Sequence, residues 1–263
     1  MKKTIIALLS TIGVSFGEMT DGLVAWWTFD EDGSYTSYTG FAAGVYTGLN
    51  EKNMNLTGGV DGKGYISSHY DGGYMDFYDG MGSMNISASS FTLSFKVNGA
   101  TADYRSLFSM NIGEFGQVNM QTENPNNGSD TCLYATNNSI EITSDAARTS
   151  IKGENGWANV ILTGDGQTLT LYVNGDSASV TYAPGADSKL SNFQLGSQWG
   201  NGDRRVQANF DDLAIWNRTL GADEIALLSQ GAIANGTLPV PEPTTATLSL
   251  LALAGLAARR RRK

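Results

Sequence analysis

Between about residue 20 and residue 230 the chain is written in short runs of alternating apolar and polar residues, interrupted by Gly, Asn and Asp. Phe91, Leu93, Phe95 and Val97 fall on one side of such a run, with Thr92, Ser94 and Lys96 on the other. This is the period-two pattern of a strand with one face in a core. Leu169 to Val173 repeats it and runs into Asn174-Gly175. A two-residue reversal needs φ > 0 at both positions, so a hairpin is expected there, with Ser177 to Tyr182 as the returning strand. Leu23 to Phe29 is the expected first strand, closed by Asp30-Glu31-Asp32-Gly33. Helical spacing is confined to Leu220 to Gln230, where Leu220, Ile225, Leu227 and Leu228 share one side and Gly231 supplies a stop. The stretch 121–130, containing Asn124-Pro125-Asn126-Asn127-Gly128, reads as a surface loop, and 232–239 as a polar linker. So many short strands with frequent turn residues predict an all-β sandwich of two antiparallel sheets, with one short helix near its end.

The two ends break this pattern. Lys2 and Lys3 precede an apolar run from Ile5 to Phe16, followed by the small residue Gly17. That is the form of a secretory signal peptide, expected to span 1–17. At the other end Val240-Pro241-Glu242-Pro243 is followed by an apolar stretch, 244–258, and then by Arg259-Arg260-Arg261-Arg262-Lys263. The prolines interrupt preceding structure, the apolar stretch can enter lipid as a helix, and the basic cluster favours the cytoplasmic side. At 1.5 Å per residue, 244–258 reaches only about 22 Å of a roughly 30 Å hydrocarbon core, which suits transient insertion better than a lasting anchor. Residues 240–263 resemble the PEP-CTERM sorting signal of bacteria that secrete extracellular polymer. The resemblance implies processing near Pro241-Glu242-Pro243 by an exosortase-type protease, and placement at the cell surface or in the extracellular matrix. The expected organisation is therefore signal peptide 1–17, domain 18–231, linker 232–239 and sorting signal 240–263.

Composition narrows the choice of function. Seven of the 17 basic residues lie in the two ends, but only one of the 26 acidic ones, Glu242. The body is thus more acidic than the whole-chain net charge of −9. Such a surface disfavours nucleic acid and anionic lipid and favours cations. One cysteine, Cys132, allows no internal disulfide, and with a single histidine, His69, it cannot build a Cys/His zinc site. No nucleophile elbow, phosphate-binding glycine loop or dinucleotide fingerprint occurs.

Three segments carry a second resemblance. Trp157-Ala158-Asn159-Val160, followed by Leu169 to Gly175, is similar to a hairpin of laminin G-like domains. Phe210-Asp211-Asp212-Leu213-Ala214-Ile215-Trp216, followed by Glu224-Ile225, is similar to their closing strand and short helix. Val24 to Asp30 matches their opening strand. The resemblance implies a concanavalin A-like jelly roll with its first and last strands adjacent. It also implies a structural calcium near that join, with Asp30 and Asp211 at the matching positions. Calcium takes six to eight oxygens, so backbone carbonyls and water would complete the shell. By simple alternation Asp211 shares the inward parity of Leu213 and Ile215, where a carboxylate without a partner is costly.

Sugars are held by aromatic faces and by amide or carboxylate hydrogen bonds to hydroxyls. Trp199, in the turn-forming run Gln198-Trp199-Gly200-Asn201-Gly202-Asp203, and Tyr74 and Tyr78, among Asp71, Asp76 and Asp79, are the aromatic candidates. Aromatics in a sandwich more commonly serve its core or sheet edge. Related jelly-roll glucanases use Glu-x-Asp-x-Glu on one strand face to hold two carboxylates about 5–5.5 Å apart. No such run occurs, and Asp76, Asp79, Glu114 and Glu123 are scattered. The expected function is therefore non-catalytic binding of polysaccharide or a cell-surface glycan. A purely structural or adhesive module is the alternative, and a divergent glycoside hydrolase a distant one.

Overall fold

Phe95 and Phe108 meet edge to face with ring centroids 5.8 Å apart, and each comes from a different sheet. The computed structural model describes residues 19, 21–30, 44–46, 54–55, 58–60, 64–68, 74–76, 85–101, 105–122, 131–135, 138–142, 151–154, 156–197 and 204–231. The first strands are β1 (Leu23–Trp27), β2 (Gly44–Tyr46), β3 (Met54–Asn55), β4 (Tyr65–Ser68) and β5 (Tyr74–Asp76). Then come β6 (Phe91–Thr101), β7 (Ser106–Ile112), β8 (Gly116–Gln121), β9 (Thr131–Ala135) and β10 (Asn138–Ile142). The last are β11 (Ala158–Gly164), β12 (Thr168–Val173), β13 (Asp176–Thr181), β14 (Leu190–Leu195) and β15 (Gln207–Trp216), followed by helix α1 (Ala222–Ser229). Among the described residues one sheet runs β13-β12-β11-β6-β15-β4-β3, with β1 also paired to β15. The other runs β10-β9-β8-β7-β14-β5-β2. This is the expected sandwich, and its first and last strands are adjacent, with Trp26 opposite Ala214 and Trp27 opposite Leu213.

The predicted alternation becomes the main core. Phe91, Leu93, Phe95 and Val97 of β6 are buried there, facing Phe108, Met110 and Ile112 of β7 and Phe193 and Leu195 of β14. Each large apolar side chain so buried contributes roughly 1.5–3 kcal/mol. The β12–β13 hairpin closes with Val173 opposite Asp176, and Asn174 and Gly175 take φ of 50° and 94°. These positive values are what the Asn-Gly pair was expected to supply.

A second apolar cluster lies on the opposite face of the larger sheet. It contains Trp26, Ile161, Ala214 and Trp216, covered by Met19 and by Leu220, Ile225 and Leu228. Trp216 therefore does not join the inter-sheet core with Ile215. It packs beneath α1 and donates its indole N–H to the Met19 carbonyl at 2.7 Å. Helix α1 is shorter than the 220–230 expected: Gly221 caps it, and Gly231, at φ 83°, follows its end. Arg218 holds Glu224 at 2.8 and 2.6 Å, while Glu224 also accepts the Gly221 N–H at 2.8 Å. The expected signal peptide, loop residues 123–130, linker and sorting tail lie outside the described residues. No helix among the described residues is long and apolar enough to cross a membrane, and 244–258 lies outside them.

Candidate functional site

Two consecutive acids stand in the middle of an apolar strand, and the strand cannot alternate through them. Phe210 pairs with Val97 and Asp211 with Lys96, but Ala214 then pairs with Ser94, so β15 carries one extra residue. Asp212 is that bulge, at φ 48°, a conformation an aspartate tolerates. The bulge reverses the parity. Phe210, Leu213 and Ile215 all reach the main core, whereas Asp211 falls on the other face with Lys96. Asp211 is buried as expected, at 2% exposure, but not on the inward face that simple alternation assigned it. The bulge also marks where the strand changes neighbours. Residues 208–210 pair with β4, and 213–216 with β1.

This change of neighbours brings polar groups together. Asp211 accepts the Val60 N–H through Oδ2 and the Asp212 N–H through Oδ1, both at 2.9 Å. Asp212 accepts the Trp26 indole N–H at 3.3 Å and pairs with the Lys96 ammonium at 2.8 Å. Burial, and next the neighbouring Asp212 carboxylate, push Asp211 up to about 8, and Asp30 adds to the rise. Asp212 is also raised by burial, against the pull of Lys96 and Trp26. Asp30, at the end of the β1 segment, thus acts electrostatically on both carboxyls.

Carboxylate and carbonyl oxygens are the ligands a hard cation such as calcium takes. Lys96 balances Asp212, while Asp211, raised by burial, accepts the Val60 and Asp212 N–H groups. A calcium ion would be held through Asp30 and Asp211, with backbone carbonyls and water as further ligands. Among the described residues no group of three or more His, Cys, Asp or Glu side chains is arranged to hold a metal. Such an ion would therefore depend on main-chain oxygens.

A separate row of polar residues, Gln194, Ser109 and Asn119, runs across the three central strands of the smaller sheet. Among the described residues, backbone register continues this row to Gly44 and Asp76 on one side and to Tyr134 and Ser139 on the other. Phe108, Met110, Val118, Met120 and Leu195, the chain neighbours of the central three, point to the main core, so Gln194, Ser109 and Asn119 point away from it. All three are buried nevertheless. Ser106 donates to Asn119 Oδ1, and Ser197 donates to Gln194 Oε1 at 2.9 Å. The Ser109 hydroxyl is buried without a hydrogen-bond partner. A buried hydroxyl normally finds one, so Ser109 is an exception within this row.

The predicted residues divide between these two regions. Asp30 and Asp211 come together, joined by Asp212 and Lys96, which alternation alone did not single out. The signal was present, because adjacent acids within an apolar strand require a bulge. Tyr74 lies in β5, two residues from Asp76 and at the end of β14 that leads to Ser197. Trp199 follows Ser197 by two residues in sequence, but it and Tyr78 lie outside the described residues, as do Val240, Pro241, Glu242, Pro243, Arg259 and Arg260.

A laminin G-like family model, described as the concanavalin A-like lectin/glucanases superfamily, matches residues 68–226. The chain belongs to that superfamily. The PEP-CTERM protein-sorting motif matches residues 239–263 and marks this member for export and for a surface or extracellular location. No curated protein matches the sequence significantly. Among solved structures, the botulinum neurotoxin serotype C1 binding domain is similar with a TM-score of 0.57 and 14% identity, over 80% of this chain and 52% of that one. The sialidase of Trypanosoma rangeli, in complex with 2,3-difluorosialic acid as a covalent intermediate, is similar with a TM-score of 0.59 and 17% identity. That match covers 83% of this chain and 34% of the sialidase. The chain thus spans about half the length of the botulinum chain and a third of the sialidase. At these identities the likeness is one of fold.

Proposed function

We propose that this superfamily member is an exported, surface-sorted and non-catalytic module that binds carbohydrate of the extracellular polymer. The observation that carries this reading is the polar band of the smaller sheet, centred on the unpartnered Ser109 hydroxyl. Amides and hydroxyls in a row match the alternating donors and acceptors of a polyol. A hydroxyl closed off from bulk water binds a ligand hydroxyl more strongly than an exposed one does. Tyr74, Tyr78 and Trp199 are the proposed aromatic partners of sugar C–H surfaces. The binding domain of botulinum neurotoxin DC, which is similar in fold, forms a complex with SialylT. That supports a binding role without specifying the ligand.

Calcium bound through Asp30 and Asp211 is the structural part of the proposal. It would compensate a carboxyl that burial otherwise drives up to about 8. At the tail, 244–258 inserts transiently while an exosortase-type protease acts near Pro241-Glu242-Pro243, with Arg259 and Arg260 retained on the cytoplasmic side. The test is a glycan array of the exported protein with and without calcium. Binding to one polysaccharide class that is lost in Ser109→Ala and Trp199→Ala is the expected result. A blank array would make the module a scaffold, and release of shortened saccharides would make it a hydrolase.

A further inference from the structure

Lys96 and Asp212 are held on neighbouring central strands of the larger sheet, with Nζ 2.8 Å from Oδ2 and both side chains 6% exposed. They lie on the face covered by the second apolar cluster, beside Trp26. The Asp212 carboxylate is oriented at both ends: Oδ1 takes the Trp26 indole N–H and Oδ2 faces the amine nitrogen. The bulge fixes Asp212, since the register on either side of it is set by pairing with β6. The amine nitrogen and the carboxyl group are therefore held side by side, with Nζ 2.8 Å from Oδ2. A buried ion pair also carries a large desolvation cost, and joining its members as a neutral amide removes both charges.

We propose that Lys96 and Asp212 are joined by an intramolecular isopeptide bond in the mature protein. The reaction is a condensation that needs no oxidant, reductant or cofactor. A proton passes from the Lys96 ammonium to Oδ2, leaving a neutral amine and a carboxylic acid. The Nζ lone pair attacks Cγ, and charge gathers on Oδ1, to which the Trp26 N–H is already bonded. The Cγ–Oδ2 bond then breaks. Oδ2 departs as water carrying two of the three ammonium hydrogens, and the third remains on the amide nitrogen. Oδ1 becomes the amide carbonyl. The bond would tie β6 to β15 where β15 changes its other neighbour from β4 to β1. Such a tie suits a sandwich whose single cysteine rules out an internal disulfide.

The test is peptide mapping of the exported protein after full denaturation and digestion with trypsin. The expected product is one species containing residues 64–105, uncut after Lys96, joined to residues 206–218 and lighter than their sum by one water. Fragmentation should place the junction at Asp212 and not at Asp211. The Lys96→Arg variant keeps the positive charge but not the amine, and should release 206–218 at its full mass. Cleavage after Lys96 together with free, full-mass 206–218 from the unaltered protein would overturn the proposal and leave a buried ion pair only. That outcome is independent of glycan binding, which involves the other sheet.

Discussion

Asp211 is the register partner of Lys96, yet the Lys96 ammonium bridges to Asp212, the residue that bulges out of the register. Without the bulge, β15 would turn Leu213 and Ile215 to the same face as Asp211, and an acid would enter the main core with them. One extra residue separates the two requirements. The apolar positions keep the core, and both carboxyls stay on the face where an amine, an indole N–H and backbone donors meet them.

In protein whose Lys96 and Asp212 are still unjoined, the ion pair should behave as a unit. Asp212→Ala leaves a buried ammonium without its counter-charge and should cost about 3–5 kcal/mol, the range for breaking a buried pair. Lys96→Met alone strands the carboxylate and should cost a similar amount. The double substitution should be markedly more stable than the sum of the two predicts, because it removes both charges. Urea unfolding of the four proteins measures the coupling. Additive losses would show that the two residues do not act together.

The acid at 211 predicts how stability changes with pH. Its folded-state value, about 8, lies above its ordinary one, 3.8, so between them the folded protein binds more protons than the unfolded chain. Stability from this group is therefore greatest at low pH and declines as pH rises from about 4 towards 8. The decline should be on the order of a few kcal/mol when divalent cations are chelated. If calcium binds through Asp30 and Asp211, saturating calcium should flatten the slope, because the bound form keeps the carboxylate ionised. Melting temperatures from pH 4 to 8, with chelator and with calcium, provide the measurement. Identical slopes in the two series would reject the ion.

The sequence made the sandwich legible where one residue type had one physical meaning. Phe91 to Val97 alternates without interruption, and Asn174-Gly175 has few conformations to choose from, so β6 and the β12–β13 hairpin are found where expected. Alternation failed at Asp212, because a bulge is decided by what each face can accept and not by the spacing of residues. Trp216 lies on the face opposite Ile215, as alternation requires, but its burial there depends on α1 returning over the outer face of the sheet. The polar band was hidden for another reason. Ser109, Asn119 and Gln194 look like ordinary solvent-side residues until pairing puts them in one row. The aromatic candidates were visible as residue types, but the site that would use them was not.

Arg218 and Glu224 tie the closing strand to α1, so their separation should loosen the second apolar cluster. Arg218 also donates to the Asp21 carbonyl at 2.8 Å, joining the start of the domain to its end. Arg218→Ala should cost about 1–2 kcal/mol, since the pair is two-pronged but partly exposed. The Arg218 hydrogen bonds hold Glu224 below its ordinary 4.5. A depressed acid stabilises the fold above its unfolded value, and this contribution disappears as pH falls through the folded one. The variant should therefore lose less stability than the parent protein on acidification below about pH 4.5. Acid titration of both proteins, followed by tryptophan fluorescence, decides the point.

Ser109 separates stability from binding. Its hydroxyl is desolvated and unpartnered, so Ser109→Ala removes a buried polar group that gains nothing within the protein. The substitution should leave stability unchanged or raise it by about 1 kcal/mol, whereas truncation of a hydrogen-bonded hydroxyl would lower it. If the polar band receives sugar hydroxyls, the same variant should bind its polysaccharide several-fold more weakly despite its equal or greater stability. A residue that only packs cannot give that combination, because weaker binding would then accompany a weaker fold. Denaturant midpoints and polysaccharide affinity measured on the same preparation distinguish the two. A destabilised variant would mean that the hydroxyl has a structural partner, whereas a stabilised variant with unchanged affinity would move the binding site away from this sheet.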